Sequence, residues 1–175
     1  MENQKSSAKQ LMLSYGVYLG LISILINVVN YAVGDIYRPH WGIQVVSIII
    51  TIALIVFALK KFKEGNEGLM SLSQALKIGL GMSLVSGIIY VIYLFAFTGA
   101  IETEFFANMQ EVQYQNMVEK YPTFTEEQLE AGRKNIEAFS GMGVTSAIVL
   151  IFSLFFGFVI SLIAGLIMKR TEEDR

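Results

Sequence analysis

The side chains that ordinarily do chemistry are scarce in this chain, and those present are not spaced for it. His40 is the single histidine, and there is no cysteine. A metal centre needs three or four convergent ligands, and a histidine-based triad needs a nucleophile and an acid beside the ring. Pro39-His40-Trp41 supplies neither, so His40 reads as an interfacial anchor. No His-Glu-x-x-His, Gly-x-Ser-x-Gly or P-loop pattern occurs. Gly79-Leu80-Gly81 falls inside an apolar run and makes no phosphate loop. Glu126 and Glu127 stand where a helix begins and complement its dipole. The expectation is a protein that is not an enzyme, with no catalytic residue, no bound metal and no cofactor. A net charge of −2 gives no support for nucleic-acid binding.

The polar residues with the strongest claim on function are Asn27, Asn30 and Gln44, which interrupt otherwise apolar sequence. They can bond helix to helix, or they can line a small polar path. No Asp, Glu, Lys or Arg lies deep in those stretches. Intramembrane charges mark proton relays and ion pathways, so their absence argues against proton-coupled transport.

The elements that position these residues are four runs without a charge: Gln10–Gly34, Pro39–Leu59, Ile78–Ile101 and Ala138–Met168. About 20 apolar residues cross the hydrocarbon core as a helix. The chain is 54% hydrophobic and only 16% charged, against about 25% charged in soluble domains. The expected fold is an all-α membrane protein of four transmembrane helices, over about 11–33, 41–60, 76–98 and 142–168 of a single 1–175 domain. The first run is too long for a signal-peptide core of about 7–15 residues, and no A-x-A site follows it, so it reads as a retained span.

Basic residues orient the spans. Lys5, Lys9, Lys60, Lys61, Lys63, Lys77, Lys169, Arg170 and Arg175 fall on one side of a four-span chain, leaving Arg38, Lys120, Arg133 and Lys134 on the other. The side richer in Lys and Arg is cytoplasmic, which puts both termini inside. Tyr31, Tyr37, His40 and Trp41 flank the first outer loop as interfacial anchors. Ser71 or Ser73 is placed to cap the entry into the third span.

The segment between spans three and four differs from the rest. Residues 102–139 carry eight glutamates against three basic residues. Apolar residues still recur at helical spacing: Phe105, Met109 and Val112, then Leu129, Gly132, Ile136 and Phe139. Tyr121-Pro122-Thr123 breaks the middle. Thr125-Glu126-Glu127-Gln128 fits a capping box, and Glu130/Lys134 and Arg133/Glu137 have i, i+4 spacing. The expectation is an extracytoplasmic acidic helical hairpin over 101–140, with helices at about 101–120 and 126–140. The first would extend span three and the second would lead into span four. Glu119, Glu126, Glu127 and Glu130 then offer a docking surface for a protein partner or cations, or simply keep that face solvated. Their spacing is not that of an EF-hand loop.

Small and polar residues mark one face of each span. Gly16, Gly20, Ser23, Asn27, Asn30 and Gly34 recur at steps of three and four, as do Gln44, Ser47 and Thr51 in the second span. Span three offers Gly79, Ser83, Ser86, Gly87 and Tyr90, and span four Ser153, Gly157, Ser161 and Gly165. Lipid is as apolar as leucine, so small residues that let backbones approach are what bring membrane helices together. The stripes should face inward in a four-helix bundle. Spans one and three share their spacing, as a repeat or common packing rules would produce.

The run Gly68-Leu-Met-Ser-Leu-Ser-Gln-Ala-Leu-Lys-Ile-Gly79 reads G-x-x-S-x-x-Q-A-x-K-x-G. With the Glu126-Glu127-Gln128-Leu129 helix start, it resembles the domain-of-unknown-function family numbered 4199, found mostly in Bacteroidetes bacteria. The resemblance implies an integral membrane protein in a bacterial inner membrane, with no assigned activity or residue roles. The resulting expectation is a non-enzymatic accessory or scaffold subunit using its outer hairpin, embedded in the lipid bilayer. The alternative is a small polar-solute or ion transporter or channel-like protein with its path at Asn27, Asn30 and Gln44. Self-association is compatible with both.

Overall fold

A computed structural model describes the backbone of residues 2–171 and the side chains of residues 8–171. Of the basic residues used to orient the chain, Lys5 lies outside the described side chains and Arg175 outside the described residues. Among the described residues six α-helices follow in order: α1 (Glu2–Val33), α2 (Trp41–Gly65), α3 (Leu72–Ala96), α4 (Phe105–Lys120), α5 (Glu126–Phe139) and α6 (Met142–Met168). Four of them provide segments long and apolar enough to cross a bilayer: Ala8–Val33, Trp41–Gly65, Leu72–Ile101 and Met142–Met168. The chain forms two compact units. One joins the residues up to Tyr90 with those from Leu150 onward, and the other comprises residues 91–149.

Within the first unit, α2 and α3 overrun the boundaries expected from hydropathy, and capping explains both cases. Helix α2 continues past Lys60 to Gly65, because charges that leave the apolar zone are still good helix formers. It stops where Glu67 and Gly68 take positive φ angles of 55° and 78°. The Gly68 N–H then bonds the Lys63 carbonyl at 2.9 Å, satisfying an end of the helix. Helix α3 begins at Leu72 because Ser71 and Gln74 form a reciprocal box. The Gln74 N–H donates to Ser71 Oγ at 3.2 Å, and the Ser71 N–H donates to Gln74 Oε1 at 2.8 Å. Of the two serines expected to cap this helix, Ser71 does so.

The α2–α3 turn is tied to the end of α6. Met70 and Arg170 exchange backbone hydrogen bonds of 2.8 and 3.0 Å, and Lys63 Nζ donates to the Met168 carbonyl at 2.8 Å. Beside this clasp lies the apolar core: Ile55, Ala58, Leu59 and Phe62 of α2 with Met70, Ala75, Ile78, Met82 and Ala164. Leu11, Met12 and Tyr15 of α1 close over it.

The small-residue stripes meet in register. Along α3, Ala75, Gly79, Ser83 and Gly87 are each four apart; along α6, so are Gly165, Ser161, Gly157 and Ser153. A Cβ on Gly165 would lie 2.8 Å from Ala75 Cβ, one on Gly79 would lie 2.6 Å from Ser161 Oγ, and one on Gly87 would lie 3.3 Å from Ser153 Oγ. One on Gly157 would lie 2.6 Å from Ser83 Cβ. Every step up α3 is thus matched by a step back along α6, and at Gly79 and Gly157 the missing side chains bring the two backbones close. Gly16 of α1 packs on Val85 and the Met82 carbonyl of α3, and Gly20 on the Ile89 side chain.

In the second unit, α3 does not continue smoothly into α4. Phe97–Ile101 is a π-helical turn closed by the Glu102 N–H on the Phe97 carbonyl at 2.8 Å. Helix α4 starts four residues later than the expected 101, because this wider turn ends the helical register before Phe105. Thr125 caps α5 as its spacing foretold: Gln128 N–H to Thr125 Oγ1 is 3.3 Å, and Thr125 N–H to Gln128 Oε1 is 2.9 Å. Helices α4 and α5 pack on each other. Met117 fills the space over Gly132, and Arg133 lies 4.0 Å from Glu111 and over the Tyr114 ring at 5.1 Å.

Candidate functional site

The polar faces of the four long helices converge on a cavity of about 220 Å³ inside the first unit. Six hydroxyl residues line it: Ser23 of α1, Ser47 and Thr51 of α2, Ser83 and Ser86 of α3, and Ser153 of α6. Leu19, Ile48, Phe156 and Ile160 complete the wall. Four of these hydroxyls give their proton to a backbone carbonyl. Ser23 Oγ donates to Leu19 at 2.8 Å, Ser47 Oγ to Ile43 at 2.9 Å and Thr51 Oγ1 to Ser47 at 2.8 Å, each one turn back. Ser153 Oγ crosses between helices to the Ser83 carbonyl at 2.7 Å. Donation of this kind leaves each oxygen free to accept. Ser83 and Ser86 are 1% and 6% exposed. The cavity therefore combines hydroxyl oxygens able to accept with an apolar wall and carries no formal charge, a surface suited to water or a small neutral polar molecule.

The three amides singled out from sequence do not form one cluster. Asn27 Nδ2 donates to the Tyr90 hydroxyl at 3.0 Å and joins α1 to α3. Asn30 is buried; its Nδ2 reaches the Asp35 carbonyl at 3.4 Å, and its Oδ1 has no partner. Gln44 is exposed on α2 and lines neither the hydroxyl cavity nor the larger recess beside Asn30. The serines that do converge are weak individual signals, since a lone serine in a membrane helix is ordinary. Only their shared stripe hinted at them.

Gly16, Gly20, Gly79, Ser83, Gly157, Ser161 and Gly165 all sit at helix contacts. Glu119, Glu126, Glu127 and Glu130 are exposed in the second unit. Glu130 pairs with Lys134 at 3.0 Å, and Arg133 with Glu137 at 3.7 Å. His40 Nδ1 accepts the Gly42 N–H at 3.1 Å and caps α2. Among the described residues, no three His, Cys, Asp or Glu side chains converge to hold a metal ion.

Four helices long and apolar enough to cross a bilayer, with small residues at the contacts among α1, α3 and α6, mark a multi-pass helical membrane protein. More particularly, the chain belongs to the family described as protein of unknown function DUF4199, whose model matches residues 14–170. No curated protein and no solved structure matches it.

Proposed function

We propose that this chain is a non-enzymatic accessory or scaffold protein of the bacterial inner membrane, with both termini cytoplasmic and α4–α5 outside. Helices α4 and α5 supply its contact surface in this reading. The observation that carries it is an ordered acidic surface without internal use. Arg133, Tyr114, Met117 and the Thr125 cap hold the pair together, yet no residue of either helix is buried. Among the described residues, Glu119, Glu126 and Glu127 have no ion-pair partner. Ordering such a surface in advance lowers the entropy cost of binding. Crosslinking in native membranes tests it, comparing wild type with Glu126→Lys/Glu127→Lys. Both positions are exposed, but lysine opposes the dipole at the start of α5, so circular dichroism of the variant must first show unchanged helix content. Loss of the crosslinked partner is expected, and an unchanged crosslink pattern removes the proposal.

The hydroxyl cavity favours a second reading, passage or binding of a small uncharged polar solute. The six hydroxyl residues in the lining support it, and no formal charge is present there to drive coupling. Proteoliposome swelling with small polyols decides it. Wild type should exceed protein-free vesicles several-fold, and Ser86→Leu, which fills the cavity, should return to that baseline. Equal swelling in all three rejects this reading.

A further inference from the structure

A second and larger recess, of about 610 Å³, opens between α1 and α2 at the end where the chain turns from one helix to the next. Its walls and its rim differ in chemistry. Leu25, Val29 and Val33 of α1 face Ile43 and Val46 of α2 across it. Leu25 and Val33 are 60% and 83% exposed, which is the condition of side chains that meet acyl chains when these helices cross a bilayer. From Leu25 to Val33 the wall runs about 12 Å at 1.5 Å per residue, most of the hydrocarbon depth of one leaflet, which is about 15 Å.

The rim carries hydrogen-bond donors. Arg38 lines the recess, and among the described residues it has no carboxylate partner. Asp35 lines the recess as well; its Oδ1 accepts the Tyr37 N–H at 2.8 Å and the Arg38 N–H at 3.1 Å, which ties the carboxylate to its loop but leaves its charge in place, and Asn30 Oδ1 adds an unpartnered acceptor deeper in the lining. His40 lines the same rim, and its Nδ1 is taken by the Gly42 N–H. A neutral His40 therefore carries its proton on Nε2 and donates from there. Five guanidinium N–H donors and an imidazole N–H above an apolar slot match an acidic head joined to a hydrocarbon tail.

We propose that the α1–α2 recess is a binding site for an anionic phospholipid, with its phosphate on Arg38 and His40 and one acyl chain along the α1–α2 wall. The site rests on the four-span membrane reading but is independent of any role for α4–α5. A free phosphate would satisfy the rim alone and leave the apolar wall unexplained, which favours the lipid.

The chain contains its own reporter. Trp41 is the only tryptophan, stands next to His40 with ring centroids 5.6 Å apart, and is 70% exposed. The full-length protein in nonionic detergent would be titrated with phospholipids brominated high on their acyl chains, which quench nearby indole fluorescence. Brominated phosphatidylglycerol should quench at about fivefold lower mole fraction than brominated phosphatidylcholine, the scale of one cationic contact with an acidic lipid. Arg38→Gln should remove most of that preference. Lys134→Gln, an equal loss of charge on α5, should keep it. Equal quenching by the two lipids in wild type overturns the site, as does a preference that survives Arg38→Gln or disappears equally in Lys134→Gln. If millimolar inorganic phosphate abolishes the preference, the rim is a free-anion site and the lipid assignment falls.

Discussion

Gly79→Leu should separate α3 from α6 and lower the unfolding temperature more than other single substitutions in the α3–α6 seam. Even one added carbon at Gly79 would lie 2.6 Å from Ser161 Oγ and 3.1 Å from the Gly157 carbonyl. The second of these is backbone, which cannot rotate away. Gly79→Ala gains about 1 kcal/mol of helix preference against about 1–3 kcal/mol of overpacking, so its net effect can be small. Leucine gains the same preference and brings three further carbons, which only displacement of α6 can accommodate. Displacement also opens the Ser153–Ser83 hydrogen bond and the Gly165–Ala75 contact. Gly143→Ala is the control, since nothing lies within 4 Å of a Cβ there; it should match or slightly exceed wild type. Thermal unfolding in detergent, followed by circular dichroism, reads both variants. A Gly79→Leu protein as stable as wild type would show that the helices do not depend on this approach.

The second large effect concerns two phenylalanines of one helix. Phe62 is 2% exposed and belongs to the core beside the α2–α3 turn, whereas Phe57 is 62% exposed. Phe62→Ala should cost about 3 kcal/mol, the low end for a buried phenylalanine, and Phe57→Ala close to nothing. Denaturant titration of the two variants compares them directly. Equal losses would mean that burial within the bundle contributes little at this position.

Composition made the four spans legible, because a bilayer imposes a length and an apolarity that few other environments demand. The Thr125–Gln128 box and the i, i+4 pairs of α5 were also legible, since each is settled within one turn of helix. So was the Gly68–Gly79 run as a unit, although the roles of its residues were not. The structure gives Gly68 a positive φ, makes Ser71 and Gln74 a cap, and sets Ala75 and Gly79 against α6. The π turn after Ala96 left no sequence mark, because nothing in Phe97-Thr98-Gly99 separates a wide turn from an ordinary one.

The polar residues show where local reasoning ends. Asn27, Asn30 and Gln44 stand out because amides are rare in apolar helices. Which of them meet depends on the rotation of each helix about its axis, and that is set by contacts with other helices. The sequence by itself determined four apolar spans, a small-residue face on each, and an acidic helical segment between the last two. Only the tertiary structure decided that six serine and threonine hydroxyls share one cavity while Gln44 faces outward. It also placed Arg38 and His40 at the rim of an apolar slot. The physical reason is that helix periodicity fixes which residues share a face, while packing across helices fixes what that face meets.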